Sequence, residues 1–379
     1  MSPDIFVTNC YTLCEVDFKK DKATEKKVRD LVVEWEAGDE SVRELWRFVL
    51  AYAYEGMNRT LTRIGSHWGK VWHEHEHYEE GGEYVREGVE RGIFRQLDDG
   101  AILSDLAKYK LPDTVLLKND GTSLYITQDI ALTAKKKDHY QADNLIWVVG
   151  PDQSLAMQQL FAVCEQLGIG KISEFTHIPS GYVGLKDGDS FKQMSSREGT
   201  AILIDDVIDD VKEKLAKRSE AKTDTTELTE KLALAAVKFS LLKSDRKQDL
   251  TFDARQSIET TGASGIYVLY TYVRIKSILR KQSTSAIKLK NNQTEIERSV
   301  SRQLMYFPAA IERAGVDLSV HHIAQYLLEL CSAFNTWYGQ DVILDGSDRE
   351  GHKLAIATAV SQVIENGLSI LGIATVEKI

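Results

Sequence analysis

No apolar run in this chain approaches the roughly 20 residues that cross a bilayer, which argues against a helical membrane span. Cysteine is scarce: Cys10, Cys14, Cys164 and Cys331 are scattered, which excludes a disulfide scaffold and suits a reducing, cytoplasmic setting. Met1 to Cys14 shows no basic leader ahead of an apolar core, so no secretory signal is expected. Positive charge is not in excess. A formal charge of −10 argues against indiscriminate coating of nucleic acid, although it leaves room for a local basic surface. Metal ligands are not assembled either. His73, His75 and His77 alternate with acids, but no cysteine or fourth ligand stands nearby to close a zinc site. That stretch is read as a solvated acidic loop, and no metal is assigned. Cys10 and Cys14 have no partner pair and are given no role.

What is present is ordinary in bulk and specific in pattern. With 379 residues, 43% hydrophobic and 27% charged, the chain reads as about two globular domains. Val28, Leu31, Val32 and Trp35 recur at helical spacing, Gly38 breaks the run, and Asp39 caps a second helix ending near Ile64. Tyr84 to Gly92 reads as a helix. Strands are expected around the turn signals Asp98-Asp-Gly100 and Asn119-Asp-Gly121. From Leu145 the pattern alternates: strand Leu145–Val149, helix Leu155–Leu167, strand near His177–Leu185, strand Ala201–Ile204, helix Asp205–Lys217. Such alternation predicts a doubly wound α/β sheet. Lys217 to Thr229 is polar and reads as an exposed connection. Behind a boundary near Thr260 to Gly265 the pattern is helical to the end, as in an all-α bundle.

The most informative block is Asp120-Gly-Thr-Ser-Leu-Tyr-Ile-Thr-Gln-Asp-Ile-Ala131, followed by Val-Val-Gly-Pro-Asp-Gln153. It reads as a hairpin whose second strand carries Tyr125 and runs into Asp129 and a helix. Gln153 follows at the end of the next strand. These three would line the carboxyl edge of an α/β sheet, where ligands of open parallel sheets bind. An acid, a phenol and an amide suit a cationic, hydrogen-bonding ligand such as a guanidinium. Tyr125 and Asp129 taken alone would serve as well to close a hairpin and cap a helix. The block resembles the amino-acid pocket of class I arginyl-tRNA synthetases, and the spacing from Asp129 to Gln153 fits that family.

Two further stretches carry the same resemblance. Lys192-Gln-Met-Ser-Ser-Arg-Glu-Gly-Thr200 looks like the KMSKS loop of class I synthetases, with Met194, Ser195, Ser196, Arg197 and Gly199 matching. A Ser/Gly loop with flanking cations offers backbone donors and charge to a developing pyrophosphate. Gln193 and Glu198 depart from the family pattern, which leaves Lys192 and Arg197 as the cations. Gly150 to Phe161, with Gln159 and Phe161, resembles the segment that opens the helix beside the adenosine; Gly150 allows close backbone approach. Family members often carry histidines near Ser154 and Ala156, which this chain does not. Toward the C-terminus, Ser264 to Lys281, Ile323 to Tyr338 and Asn366 to Ile373 look like the anticodon-binding domain of the same family. Between Thr260 and Thr294 no acid occurs, while Arg274, Lys276, Arg280, Lys281, Lys288 and Lys290 are all cationic. That is a phosphate-facing footprint on an acidic chain, and Tyr267, Tyr270 and Tyr272 add surfaces on which bases can stack.

The resemblance spans about residues 25 to 379. It implies the second half of a Rossmann-type class I catalytic domain over 25–260, an α-helical anticodon domain over 261–379, and a segment 1–24 of unassigned role. The nine histidines form no His-x-Gly-His signature, the family motif that holds ATP, so the expectation is a C-terminal part that is inactive alone. The implied reaction activates arginine with Mg-ATP, used as a substrate rather than a tightly bound cofactor, and transfers it to tRNA(Arg). Tyr125, Asp129 and Gln153 would hold arginine. Gly150, Met194, Ser195, Ser196 and Gly199 would serve ATP, with Lys192 and Arg197 as catalytic cations. Tyr270, Arg274, Lys276, Arg280 and Lys281 would face tRNA. A separate N-terminal synthetase half is a candidate partner. The second reading is a tRNA-binding protein that kept the anticodon module without catalysis.

Overall fold

The computed structural model describes residues 2–187, 190–192, 203–218, 226–282 and 293–379. The chain opens with helices α1 (Pro3–Lys20), α2 (Lys22–Glu36), α3 (Glu40–Arg63) and α4 (Tyr78–Glu90). Strands β1 (Arg95–Gln96), β2 (Ile102–Ser104) and β3 (Thr114–Leu117) come next, then α5 (Tyr125–Tyr140), β4 (Leu145–Val149), α6 (Ser154–Leu167) and β5 (Phe175–Pro179). After β6 (Val183–Asp187) and β7 (Ser190–Lys192) lie α7 (Ile204–Arg218), α8 (Thr226–Leu242), β8 (Leu250–Phe252) and the single turn α9 (Ala254–Ser257). Helices α10 (Gly265–Arg280), α11 (Glu295–Met305), α12 (Phe307–Val316), α13 (His321–Gln340) and α14 (Glu350–Ile370) complete the order. The elements form two compact units: residues 68–182 with 246–249, and the chain up to His67 with 183–245 and 250–379.

In the unit of residues 68–182, α4 and α5 approach closely because Gly81 has no side chain; a Cβ there would run into the Thr127 carbonyl oxygen. β1, β2 and β3 form an antiparallel sheet, with Gly100 at φ +93° in the turn before β2. The core gathers Val85, Leu106, Leu116, Ile130, Leu160, Phe161 and Phe175, all buried. β4 and β5 pair in parallel, Leu145 opposite Phe175 and Val149 opposite Pro179, with α6 as the crossover. Trp147 stacks on α6 and β5 through ring contacts to Phe161 (5.0 Å) and Phe175 (5.8 Å).

In the other unit, Asp21 caps α2 by accepting from the Ala23 and Thr24 amides, and Asp39 caps α3 by accepting from the Val42 amide. Of segment 1–24, read without a role, Pro3–Lys20 form α1, which packs against α3, and Lys22 to Thr24 open α2. Arg63, at the end of α3, ties that helix down: its guanidinium pairs with Asp205 (2.7 Å), Asp209 (2.5 Å) and Glu230 (2.8 Å) on α7 and α8. β6 pairs antiparallel with β7 and parallel with β8. The helices behind share one core built on Phe239, Tyr272, Leu327, Phe334 and Trp337. Inside it the buried Lys353 ammonium is satisfied by Asp341 (2.7 Å), Asp345 (2.9 Å) and the Val342 carbonyl (2.8 Å).

Three sequence expectations need correction. Tyr125 is not on a strand: pairing after β3 stops at a single bridge between Leu117 and Ser123, and Leu124 is the extended residue before α5. Burial of Thr127, Ile130 and Ala131 at helical spacing against the core outweighs the hairpin signal. The stretch His177–Leu185 is two strands in different sheets, separated by Ser180, Gly181 and Tyr182. Of the expected strand Ala201–Ile204, Ile204 belongs to a helix, since α7 begins there, while Ala201 and Ile202 lie outside the described residues.

Candidate functional site

Helix α5 carries Tyr125 in its first turn and Asp129 four residues on, so both lie on one side of the helix. The Tyr125 side chain is 82% exposed. Asp129 is half-buried, and its backbone carbonyl accepts from the Thr133 hydroxyl at 2.7 Å. Burial raises its carboxyl to about pKa 6; the charge of Glu74 pushes the same way, and Lys136 opposes. Its field reaches the buried Cys164 thiol of α6, whose own ionisation is suppressed chiefly by burial. Among the described residues no ion pair engages the Asp129 carboxylate. A partly desolvated carboxylate outside any described ion pair favours a cationic ligand, because binding one would relieve the cost of the buried charge.

Gln153 closes a 3₁₀ turn, Pro151–Gln153, that leads from the carboxyl end of β4 into α6. Its side chain is exposed and donates to Asp152 Oδ2 at 3.1 Å. Gly150 sits at the start of that turn with φ −60°, a conformation open to any residue; a Cβ there would press only on the Asp152 side chain. Gln159, expected beside an adenosine, donates instead to the Pro112 carbonyl at 2.9 Å, and Phe161 is core. The structure thus places Tyr125 and Asp129 on α5 and Gln153 at the head of α6, two helices that pack together.

Glu74 escaped sequence reasoning. It lies in a 3₁₀ turn, Glu74–Glu76, inside the histidine-rich loop. On either side of that loop, Trp72 lies against His139 of α5 (5.5 Å) and Glu80, in the first turn of α4, pairs with Lys135 of α5 (2.8 Å). Nothing in the sequence signals a charge 55 residues upstream coming into range of Asp129. Among the described residues no group of three or more His, Cys, Asp or Glu side chains is placed to hold a metal ion. Lys192 ends β7. Met194, Ser195, Ser196, Arg197 and Gly199 lie outside the described residues, as do Lys288 and Lys290.

The basic helix is α10, and its side chains divide by burial. Tyr272 is core, with its hydroxyl donating to Glu365 at 3.2 Å. Tyr267 is partly buried and accepts from Asn335 Nδ2 at 3.1 Å. Tyr270 is 40% exposed. The Arg274 guanidinium lies over both Tyr270 (4.8 Å) and Tyr338 (4.9 Å) and donates to Asn335. Lys276 sits over the Tyr272 ring at 5.7 Å, Arg280 pairs with Glu377 at 3.1 Å, and Lys281 follows the last turn. An open groove of about 550 Å³ is lined by Tyr270, Arg274, Lys281, Tyr338 and Asp341. Tyr338 and Asp341 belong to α13 and its end; the first of them lies within Ile323–Tyr338, a stretch singled out by its resemblance to the anticodon-binding domain, and the second was not signalled.

Comparison with known proteins bears on this arrangement. The family model for the tRNA synthetases class I (R) catalytic domain matches residues 4–254, and that for the DALR anticodon binding domain matches 268–379. Arginine–tRNA ligase from Bacteroides fragilis is 32% identical over 363 residues, 92% of this chain and 60% of the relative. The chain therefore spans about 60% of the length of such curated relatives. Among solved structures, arginyl-tRNA synthetase from Plasmodium falciparum superposes with a TM-score of 0.79 at 18% identity, covering 100% of this chain and 68% of that one. The Thermus thermophilus enzyme gives 0.76 at 22% identity, over 97% and 73%. These likenesses show a class I synthetase catalytic fold followed by a helical DALR domain. No described helix is long and apolar enough to cross a membrane. A family model matched over about two-thirds of the chain, joined to the anticodon-domain model behind it, shows that this chain belongs to the class I arginyl-tRNA synthetases.

Proposed function

We propose that this chain carries the arginine-recognition and tRNA-facing parts of an arginine–tRNA ligase. The carrying observation is Asp129: a partly desolvated carboxylate that no described residue meets in an ion pair, one helical turn from exposed Tyr125, on a helix packed against the one that Gln153 opens. A guanidinium offers charge and several donors in a fixed plane, which matches an acid flanked by a phenol and an amide. Gly150 and the 192–200 segment would serve Mg-ATP, with Lys192 and Arg197 meeting the phosphates. Tyr270, Arg274, Lys276, Arg280 and Lys281 would meet tRNA(Arg). The match over residues 4–254 favours this reading over a tRNA binder without catalysis. Because the 379 residues hold no His-x-Gly-His, we further propose that adenylate formation needs the remaining class I sequence.

The deciding experiment is arginine-dependent ATP–pyrophosphate exchange by this chain combined with a segment supplying that remainder. Asp129→Asn should raise the arginine KM at least tenfold, since a hydrogen bond to a charged partner contributes about 1.5–3 kcal/mol. An unchanged KM would remove Asp129 from the arginine site.

A further inference from the structure

Two histidines stand side by side at the head of α13, in a turn that the candidate site does not use. His321 and His322 are the first two residues of the helix, and their rings lie 4.0 Å apart at 38°. Each clasps back across the turn from α12. His322 Nε2 is 2.7 Å from Asp317 Oδ2, and His321 Nδ1 is 2.7 Å from the hydroxyl of the buried Ser319. Asp317 also meets Arg313 Nε at 3.6 Å. The backbone between the clasps is strained: Leu318 has φ +47°, in the left-handed region that a bulky side chain disfavours. Val320, at the cap position, makes no side-chain bond to the first amides of α13. At the other end of α12 the two helices meet through apolar surface. Phe307 lies on Tyr326 at 5.4 Å, and the Tyr326 hydroxyl donates to the Gln303 carbonyl at 2.9 Å.

The two clasps respond differently to a proton. A charged His322 keeps its partner, because the Asp317 carboxylate faces it. A charged His321 meets a neutral hydroxyl on one side and a second imidazole on the other, at the helix end where the macrodipole disfavours cations. Burial, His322 and Arg313 hold the His321 imidazole below its ordinary 6.5, against the opposing pull of Asp245 and Asp317. The closed turn therefore binds fewer protons than an open one. Its stability is complete above about pH 6.5 and falls as pH drops below that value.

We propose that residues 317–322 form an acid-sensitive joint between α12 and α13, closed while His321 is neutral and opening when both imidazoles carry protons. Opening separates two like charges and relieves the strained turn at Leu318. The Phe307–Tyr326 contact holds no group that titrates near neutral pH, so α12 hinges on that end rather than detaching. The joint stands whether or not the chain binds arginine.

The test is hydrogen exchange of the full 379-residue chain between about pH 5 and 8, read by mass spectrometry and corrected for the intrinsic chemical rate. Exchange over residues 314–324 should rise below about pH 6.5, by up to roughly tenfold per pH unit for one proton taken up, while α10 stays unchanged. His321→Asn keeps an amide within reach of Ser319 but cannot take up a proton, so exchange at the turn should lose its dependence on pH. Should that variant fold poorly, an NMR titration of the imidazole C–H signals carries the comparison in the native chain and in His322→Asn. The His321 signal should titrate below 6.5 in the native chain and move up once the neighbouring imidazole is gone. Exchange indifferent to pH overturns the joint. So does exchange that stays pH-dependent in His321→Asn, or a His321 signal that titrates at the ordinary value and ignores the loss of His322.

Discussion

Replacing Asp129 by Asn separates what this carboxylate does for the fold from what it does for a ligand. In the folded chain its proton is held to about pH 6, against 3.8 for an ordinary aspartate, mainly because burial disfavours the charge. Between those two pH values the folded state binds more protons than the unfolded state, so stability falls as pH rises through the window and levels off above it. At 1.36 kcal/mol per pH unit the full effect is at most about 3 kcal/mol; half-burial and solvent screening reduce it to on the order of 1–2 kcal/mol. Asp129→Asn removes the ionisation. At pH 7.5 it should therefore raise the melting temperature by roughly 2–6 °C and flatten the dependence of stability on pH between about 4 and 7. Arginine should bind the native chain more tightly as pH rises through 6, because only the ionised carboxylate attracts a guanidinium. It should bind the variant at least tenfold more weakly. Calorimetric melts and arginine titrations at pH 5, 6 and 7.5 read all of this. If Asp129→Asn destabilises the chain at pH 7.5, the carboxylate is a satisfied structural group and the reasoning fails.

Arg63→Ala should cost about 2–4 kcal/mol in urea denaturation, because Asp205, Asp209 and Glu230 would be left together, with Lys212 (2.6 Å from Glu230) and the more distant Arg59 offsetting part of their charge; a change under about 0.5 kcal/mol would show the cluster to be solvated. Gly81→Ala should lower the melting temperature clearly, since the added methyl meets the Thr127 carbonyl where α4 and α5 touch; an unchanged melt would mean the helices separate at no cost. Arg280→Gln should flatten the slope of log affinity for tRNA(Arg) against log salt by up to roughly one unit, and Tyr270→Ala should weaken binding by about 1–3 kcal/mol at constant slope. Unaltered binding by both variants would move the tRNA surface off α10.

Helix periods and caps were legible in the sequence where one residue type dictates local geometry. Asp39 reads as a cap and does cap α3. The run Leu145–Val149 reads as a strand, and turn glycines at 100 and 121 adopt the positive φ that such turns need. The error over Tyr125 arose because a hairpin signal is local, whereas the choice between strand and helix was made by burial of Thr127, Ile130 and Ala131. Likewise the six-cation segment reads as a uniform face, yet Tyr272 is core and the Arg274 guanidinium is already sandwiched between Tyr270 and Tyr338.

The sequence alone determined the motif spacing of the candidate arginine site, the helical periods on either side, and membership of the synthetase family, because each depends on residue type and order along the chain. Tertiary structure alone decided the electrostatics. Asp129 is perturbed by a burial that no short window encodes and by Glu74 from a loop 55 positions away. Coulomb interactions and desolvation act through space, so the order of residues lists the charges without saying which of them will meet.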